Sequence, residues 1–226
     1  MGSWILPESV STFGPDIDRL YYVILWITGI IFVLTQGVLA WFLIRYRHTD
    51  GRKAAYVHGS TKAEVVWTAV PFVIVLTLAL YSRGLWAEIK DPNRVPADAL
   101  PMQTVAKQFE WNTTLPGADE QLGTADDFTV RNELHVPVDR PVVVYLESED
   151  VLHSLFIPDL RVKQDAVPGR TIPVWFEATV TGEYPIGCAE LCGNSHTRMR
   201  GTLHVHSAED YRSFLASGGS ADREDD

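Results

Sequence analysis

Residues 20–44 read LYYVILWITGIIFVLTQGVLAWFLI, 25 residues without one charge. At ~1.5 Å of rise per helical residue, ~20 apolar residues cross a hydrocarbon core, so this run is long enough to span a bilayer. It is too long for the apolar part of a signal peptide, and Glu8, Asp16 and Asp18 precede it where such a peptide carries basic residues. Outward from it, a second apolar run covers residues 65–82, and Gly84, Leu85, Trp86 and Ala87 extend it past Arg83. Pro71 inside this run predicts a kink. No other apolar elements are at hand to enclose the two runs in a soluble core, so they predict a two-helix transmembrane hairpin over residues 20–90. Between them lie Arg45, Arg47, Arg52, Lys53 and Lys62, against Asp50 and Glu64. A short basic loop marks the cytoplasmic side, which places both termini outside, with residues 1–19 as an extracytoplasmic segment. Several of Trp4, Tyr21, Tyr22, Trp26, Trp41, Tyr46, Tyr81 and Trp86 suit the aromatic belts at the two interfaces.

Past Asp91-Pro92-Asn93 the character changes. Short β-type runs fall at 102–106, 128–130, 133–136, 141–147, 154–157, 171–178 and 202–205, separated by turn signals such as Leu115-Pro116-Gly117-Ala118 and Val167-Pro168-Gly169-Arg170. They predict an all-β barrel or sandwich over residues 95–216, closed by a helix at 208–215 and followed by an acidic, disordered tail at 217–226. The chain carries a net charge of -10, and from Val95 onward acids outnumber bases by 22 to 10. That excess repels phosphates and argues against nucleic acid. It suits a basic protein partner, or simply keeps the domain soluble.

Cys188-Ala-Glu-Leu-Cys192-Gly-Asn-Ser-His196-Thr-Arg-Met199 places two thiols, an imidazole and a thioether within 12 residues. Such soft and borderline donors select copper over magnesium or calcium. His153, in Glu149-Asp150-Val151-Leu152-His153-Ser154, is the best further ligand. Four readings of this set stand side by side. A disulfide leaves the histidine and methionine without a role. A Cys₂His₂ zinc site leaves Met199 idle. A mononuclear blue-copper site has one thiolate too many. Two thiolates bridging two coppers use every ligand. There is no C-x-x-C-H motif, and hence no attached c-type haem.

C-x-E-x-C-G-x-x-H-x-x-M, with S-E-D-V-x-H-S and D-A-x-P-G-R before it, resembles subunit II of the haem-copper cytochrome c oxidases over nearly the whole chain. The resemblance implies a cupredoxin-like Greek-key domain after the two spans and a dinuclear copper A centre, two copper ions in all. By it, Cys188 and Cys192 match the bridging thiolates, His153 and His196 the imidazole ligands, Met199 the weak thioether ligand and Glu190 the backbone-carbonyl ligand. The Glu190 carboxylate matches a residue that holds magnesium or manganese against subunit I. Glu64 matches a carboxylate at the mouth of a proton path, and Asp165 and Arg170 match the surface facing subunit I. Gln108-Phe109-Glu110-Trp111 matches a segment whose first aromatic takes electrons from the donor. A tryptophan is usual there, so both Phe109 and Trp111 stand as candidates. Glu149 and Asp150 are candidate docking charges. The implied function is acceptance of electrons from a cytochrome c or a small blue copper protein, transfer to haem in subunit I, and reduction of oxygen to water with proton pumping. The implied setting is the cell membrane, with subunit III as a further neighbour. Quinol oxidases have a related subunit without the copper ligands, all of which are present here. The electron-entry domain of a nitric oxide or nitrous oxide reductase is a rival reading; two spans before a short β-domain disfavour the nitrous oxide enzyme, and a copper chaperone fits poorly with so complete a ligand set.

Overall fold

The computed structural model describes residues 5–218, so Trp4 and the acidic tail beyond residue 218 lie outside the described residues. The chain divides into two compact units, residues 16–86 and residues 5–15 together with 87–218.

Two long helices, α1 (Gly14–Arg45) and α2 (Thr61–Lys90), account for the first unit. Both run a few residues beyond the apolar stretches. Asp16 and Glu64 occupy first turns and Arg45 and Lys90 last turns, where the helix dipole favours them. None of the 18 residues in either apolar window is buried, and Trp26, Phe32, Leu43, Trp67, Phe72 and Leu80 stand mostly exposed. A soluble core helix hides an apolar stripe, whereas apolar side chains presented all round are stable only with lipid as the solvent. Two hydroxyls within the spans bond back to their own helix: Thr28 Oγ1 donates to the Ile24 carbonyl and Thr77 Oγ1 to that of Val73, each at 2.8 Å. Pro71 sits inside α2 without ending it.

The second unit is all-β, with strands β1 (Leu100–Lys107), β2 (Glu110–Leu115), β3 (Phe128–Arg131), β4 (Glu133–Pro137), β5 (Pro141–Ser148), β6 (His153–Ile157), β7 (Val162–Ala166), β8 (Ile172–Glu177), β9 (Gly182–Cys188) and β10 (Arg200–His206), then helix α3 (Ala208–Ala216). They form two five-stranded sheets, ordered β3-β2-β1-β5-β8 and β4-β10-β9-β6-β7. β1 pairs with β5, and β4 with β10, in parallel; the other pairings are antiparallel. This is the all-β sandwich that the strand pattern predicts, and the cupredoxin-like domain that the resemblance implies. Strand alternation builds its core. Leu100, Met102 and Ala106 of β1, Val142, Val144 and Leu146 of β5 and Phe176 of β8 are buried from one sheet, and Leu134, Val136, Leu155, Ile157, Leu203 and Val205 from the other. Each large apolar side chain so buried contributes about 1.5–3 kcal/mol.

The segment before α1 belongs to this domain. Val10 N–H donates to the Asp159 carbonyl at 2.9 Å, and Thr179 N–H donates back to the Val10 carbonyl at 2.8 Å. Phe13 sets its ring edge-on to Trp175, with centroids 4.5 Å apart.

Helix α3 is capped by Ser207, whose Oγ accepts from the Asp210 N–H at 3.1 Å. It lays Tyr211, Phe214 and Leu215 inward. Phe214 stacks on His135 of β4 at a 4.0 Å centroid distance. Burial pushes His135 from 6.5 down to about 4; Glu133 pulls the other way, and His204 and His206 add to the fall. His135 is therefore neutral in the fold. Its contribution to stability is complete above pH 6.5 and is lost as the pH falls from 6.5 to 4, up to about 3 kcal/mol at ~1.4 kcal/mol per pH unit. The thermal midpoint of the full chain in detergent is expected to drop across that window, and His135→Gln should flatten the drop. Parallel curves for the two proteins would show that His135 does not set the acid limit.

Candidate metal centre

One end of the β4-β10-β9-β6-β7 sheet gathers all six sequence-marked positions. His153 opens β6, Cys188 closes β9, and Met199 immediately precedes β10. The pairing of Leu155 with Cys188 brings β6 and β9 together, and Cys188 N–H reaches the Met199 carbonyl at 3.2 Å. Between Cys188 and Met199 the chain makes one loop ending in a short 3₁₀ turn, His196–Arg198.

The donor atoms converge. Cys188 Sγ and Cys192 Sγ are 3.8 Å apart, and the Glu190 carbonyl oxygen is 3.2 Å from Cys188 Sγ. Cys192 Sγ lies 3.7 Å from His196 Nδ1 and 3.8 Å from Met199 Sδ. One ligand atom each from His153, Cys188 and Cys192 lie within 4.8 Å of one another. The sulfurs are facing thiols, far beyond the ~2.05 Å of a disulfide.

His153 gives the clearest sign that the cluster is built around something. It is fully buried, and its Nε2 donates to Asp150 Oδ1 at 2.8 Å. Its Nδ1 is buried without a hydrogen-bond partner. A buried nitrogen left unpaired costs about 1–3 kcal/mol unless an ion takes its lone pair. A ring fixed through one nitrogen by a carboxylate while the other points at thiols is how a metal-bound histidine is held. The donor set of two imidazoles, two thiols, a thioether and a carbonyl suits copper, and magnesium or calcium poorly.

Asp150 organises more than His153. Its carboxylate also accepts the Gln108 N–H at 2.8 Å and the Val151 N–H at 2.6 Å. Burial raises its pKa, but these bonds outweigh burial and hold it below the usual carboxylate range. The Cys192 thiol is pushed up to about 11, first by burial and then by the neighbouring Cys188. Cys192 therefore keeps its proton until a metal displaces it.

The β1–β2 turn of the other sheet closes the site from outside. Gln108 Nε2 donates to the Cys192 carbonyl at 2.5 Å. Gly193 has φ +144°, and a Cβ there would meet Gln108 Nε2 at 2.7 Å and the Phe109 ring at 3.0 Å. Only glycine lets the turn come so close. Phe109 is half-buried beside this loop, while Trp111 is 1% exposed, its ring 6.2 Å from His153.

The remaining positions lie elsewhere. Asp165, exposed on β7, accepts from Ser154 Oγ at 2.7 Å, and Arg170 closes the turn at 167–170 on the Val167 carbonyl. Glu149 is exposed next to Asp150. Glu64 lines an open hollow at the start of α2 with Thr61, Val65, Thr68, Ala69 and Phe72. Sequence reasoning missed Gln108 as a partner of the loop, and the part Asp150 plays behind His153. The Asp-x-x-His spacing was the available signal for the second.

Known proteins resemble the chain over both of its parts. Residues 2–85 match the family described as cytochrome c oxidase subunit II, transmembrane domain, and residues 104–205 match the periplasmic domain of the same subunit. An alternative cytochrome c oxidase subunit 2 of Bradyrhizobium diazoefficiens is 34% identical, over 94% of this chain and 83% of its own. A cytochrome c oxidase subunit 2 of Synechocystis is 32% identical, over 97% and 77%. The crystal structure of the periplasmic domain of subunit II of a Bradyrhizobium japonicum cytochrome oxidase aligns at 28% identity and a TM-score of 0.49, over 55% of this chain and 96% of that one.

Proposed function

The chain belongs to the cytochrome c oxidase subunit II family, a membrane-held subunit of an oxidoreductase complex with its β-domain outside the cytoplasm, and on that premise we propose that it takes electrons at a dinuclear copper centre. The Cys188 and Cys192 thiolates would hold the two ions between them. His153, His196, Met199 and the Glu190 carbonyl complete the set. The convergence of all six on one loop and one strand end carries this reading. Such a centre supplies one-electron transfer with little change at either ion.

The protein's part is to keep that geometry fixed. Three strands grip the ligand loop, Asp150 holds the His153 ring, and Gln108 pins the Cys192 carbonyl. Rigid support of this kind is what lets the ligands stay put in both oxidation states. Of the two aromatic candidates, half-buried Phe109 can meet a donor and buried Trp111 cannot, so electrons enter at Phe109. Glu149 contributes to the acidic docking face, which speeds encounter with a basic donor. The donor is a cytochrome c or a small blue copper protein, and the acceptor is haem in subunit I, with Asp165 and Arg170 at that contact and subunit III nearby. Oxygen reduction and proton pumping follow on subunit I. Glu64 stands at the cytoplasmic mouth of a proton path, and the Glu190 carboxylate offers a magnesium or manganese ligand towards subunit I. Both termini lie outside, and residues 20–90 and 95–216 are the functional divisions of the chain.

Electron paramagnetic resonance of the copper-loaded full-length chain in detergent tests this reading. Hyperfine splitting from one electron shared over two copper nuclei is expected. A single-copper pattern would overturn the dinuclear assignment and leave the second cysteine unexplained.

A further inference from the structure

On the sheet face covered by α3 lies a second gathering of nitrogen and oxygen donors. His135 of β4 and His204 of β10 are partners in register, and Glu183 of β9 is the partner of His204 on its other side. The rings of His135 and His204 are stacked with centroids 4.5 Å apart and planes 10° from parallel. His135 Nε2 is 3.0 Å from Glu133 Oε2, and His204 Nδ1 is 3.4 Å from Glu183 Oε1. One ligand atom each from Glu133, His135 and His204 lie within 4.8 Å of one another.

We propose that Glu133, His135 and His204, with the Glu183 carboxylate alongside, form a second metal site, separate from the cysteine loop, for a divalent ion of the zinc class. Two imidazoles and carboxylates with no sulfur match zinc and its neighbours, and match neither copper(I) nor an all-oxygen calcium site. Two carboxylates beside the two imidazoles bring negative charge that a dication offsets.

His206 supplies the supporting bond. His135 Nδ1 and His206 Nε2 are 2.9 Å apart, and the two rings lie within 13° of parallel. Without an ion, His135 Nε2–H donates to Glu133 while Nδ1 accepts from His206. With an ion on Nε2, the His135 proton moves to Nδ1 and donates to His206, whose own proton moves to its Nδ1. Both rings change tautomer and no net proton leaves. That is the outer hydrogen bond by which metal-bound histidines are oriented. The way in is open: the side chains of Glu133 and His204 are 48% and 22% exposed, against 6% for His135. Bringing both lone pairs onto one ion requires His204, the freer ring, to swing out of its stack.

Zinc uptake by the copper-loaded full-length chain in detergent tests the site, using zinc chloride alone as the probe. We expect about one zinc per chain, held at least ~10-fold more weakly in Glu133→Gln and not retained in Glu133→Gln/His204→Gln. X-ray absorption at the zinc edge should show nitrogen and oxygen neighbours only. Unchanged uptake in the double variant, or sulfur around the zinc, would overturn the proposal; sulfur would place the ion in the cysteine loop. Should the double variant fail to fold, Glu133→Gln, which alters a half-exposed side chain, and absorption on the unaltered chain decide the matter.

Discussion

Replacing Cys192 with serine is expected to slow oxidation of the reduced donor by the assembled oxidase roughly 1,000-fold or more, about 4 kcal/mol at ~1.4 kcal/mol per decade. The hydroxyl is a hard, weakly acidic donor where the site presents a soft one, and it loses contact with three neighbours at once. Cys192 Sγ touches Cys188 Sγ, His196 Nδ1 and Met199 Sδ, all within 3.8 Å. Serine is close in size, so the buried loop keeps its packing and the domain stays folded. The readout is stopped-flow donor oxidation, with copper content measured on the same sample. A variant that keeps more than a tenth of the rate would remove Cys192 from the electron path. Loss of rate with half the copper retained would instead mean that one ion survives on Cys188 and cannot serve alone.

Asp150 offers the second test, because two roles compete for it. As a docking charge it would act through long-range attraction. In the structure its carboxylate holds His153 Nε2 and the amides of Gln108 and Val151. The supporting role predicts that Asp150→Ala lowers copper affinity and electron acceptance ~10–100-fold, the usual effect of removing a partner behind a metal-bound histidine. Asp150→Asn, which still accepts hydrogen bonds, should recover much of that loss. Neither change should depend on ionic strength, since the bonds are short and local. If Asp150→Ala alters only the salt dependence of donor oxidation, the residue is a docking charge after all.

The spans and most of the strands could be read from sequence because they follow simple periods. An uncharged 25-residue run has one stable setting, and strands such as β5, with Val142, Val143 and Val144, announce themselves by β-branched density. β2, β7 and β9 escaped for physical reasons. β2 and β7 are short and mostly polar, and their inward residues, among them Trp111, Leu115, Val162 and Ala166, are too few to stand out. β9 contains Gly182, Pro185 and Gly187, which read as breakers. Pro185 is tolerated because it pairs only with Thr202 of β10, β6 reaching this strand only at Gly187 and Cys188, so its position is edge-like. The ligand loop was legible because its donors are close in sequence. Gln108 was not, because its bond to the Cys192 carbonyl joins residues 84 apart. The pair His135 and His204 was hidden in the same way. His204 and His206 share a strand face by simple alternation, but the parallel β4–β10 pairing that adds His135 is a long-range choice no local pattern records.

The docking of Val10–Phe13 on the sandwich has a counting consequence. The chain leaves the β-domain unit after Pro15 and re-joins it at Ala87. A path that departs from and returns to one folded body, on one face of a membrane, crosses that membrane an even number of times. α1 and α2 must therefore insert together or not at all. A chain that threaded only one of them would strand residues 5–15 on the far face, and the backbone bonds of Val10 and Thr179 would never form. The fold outside the membrane thus keeps parity for the segments within it.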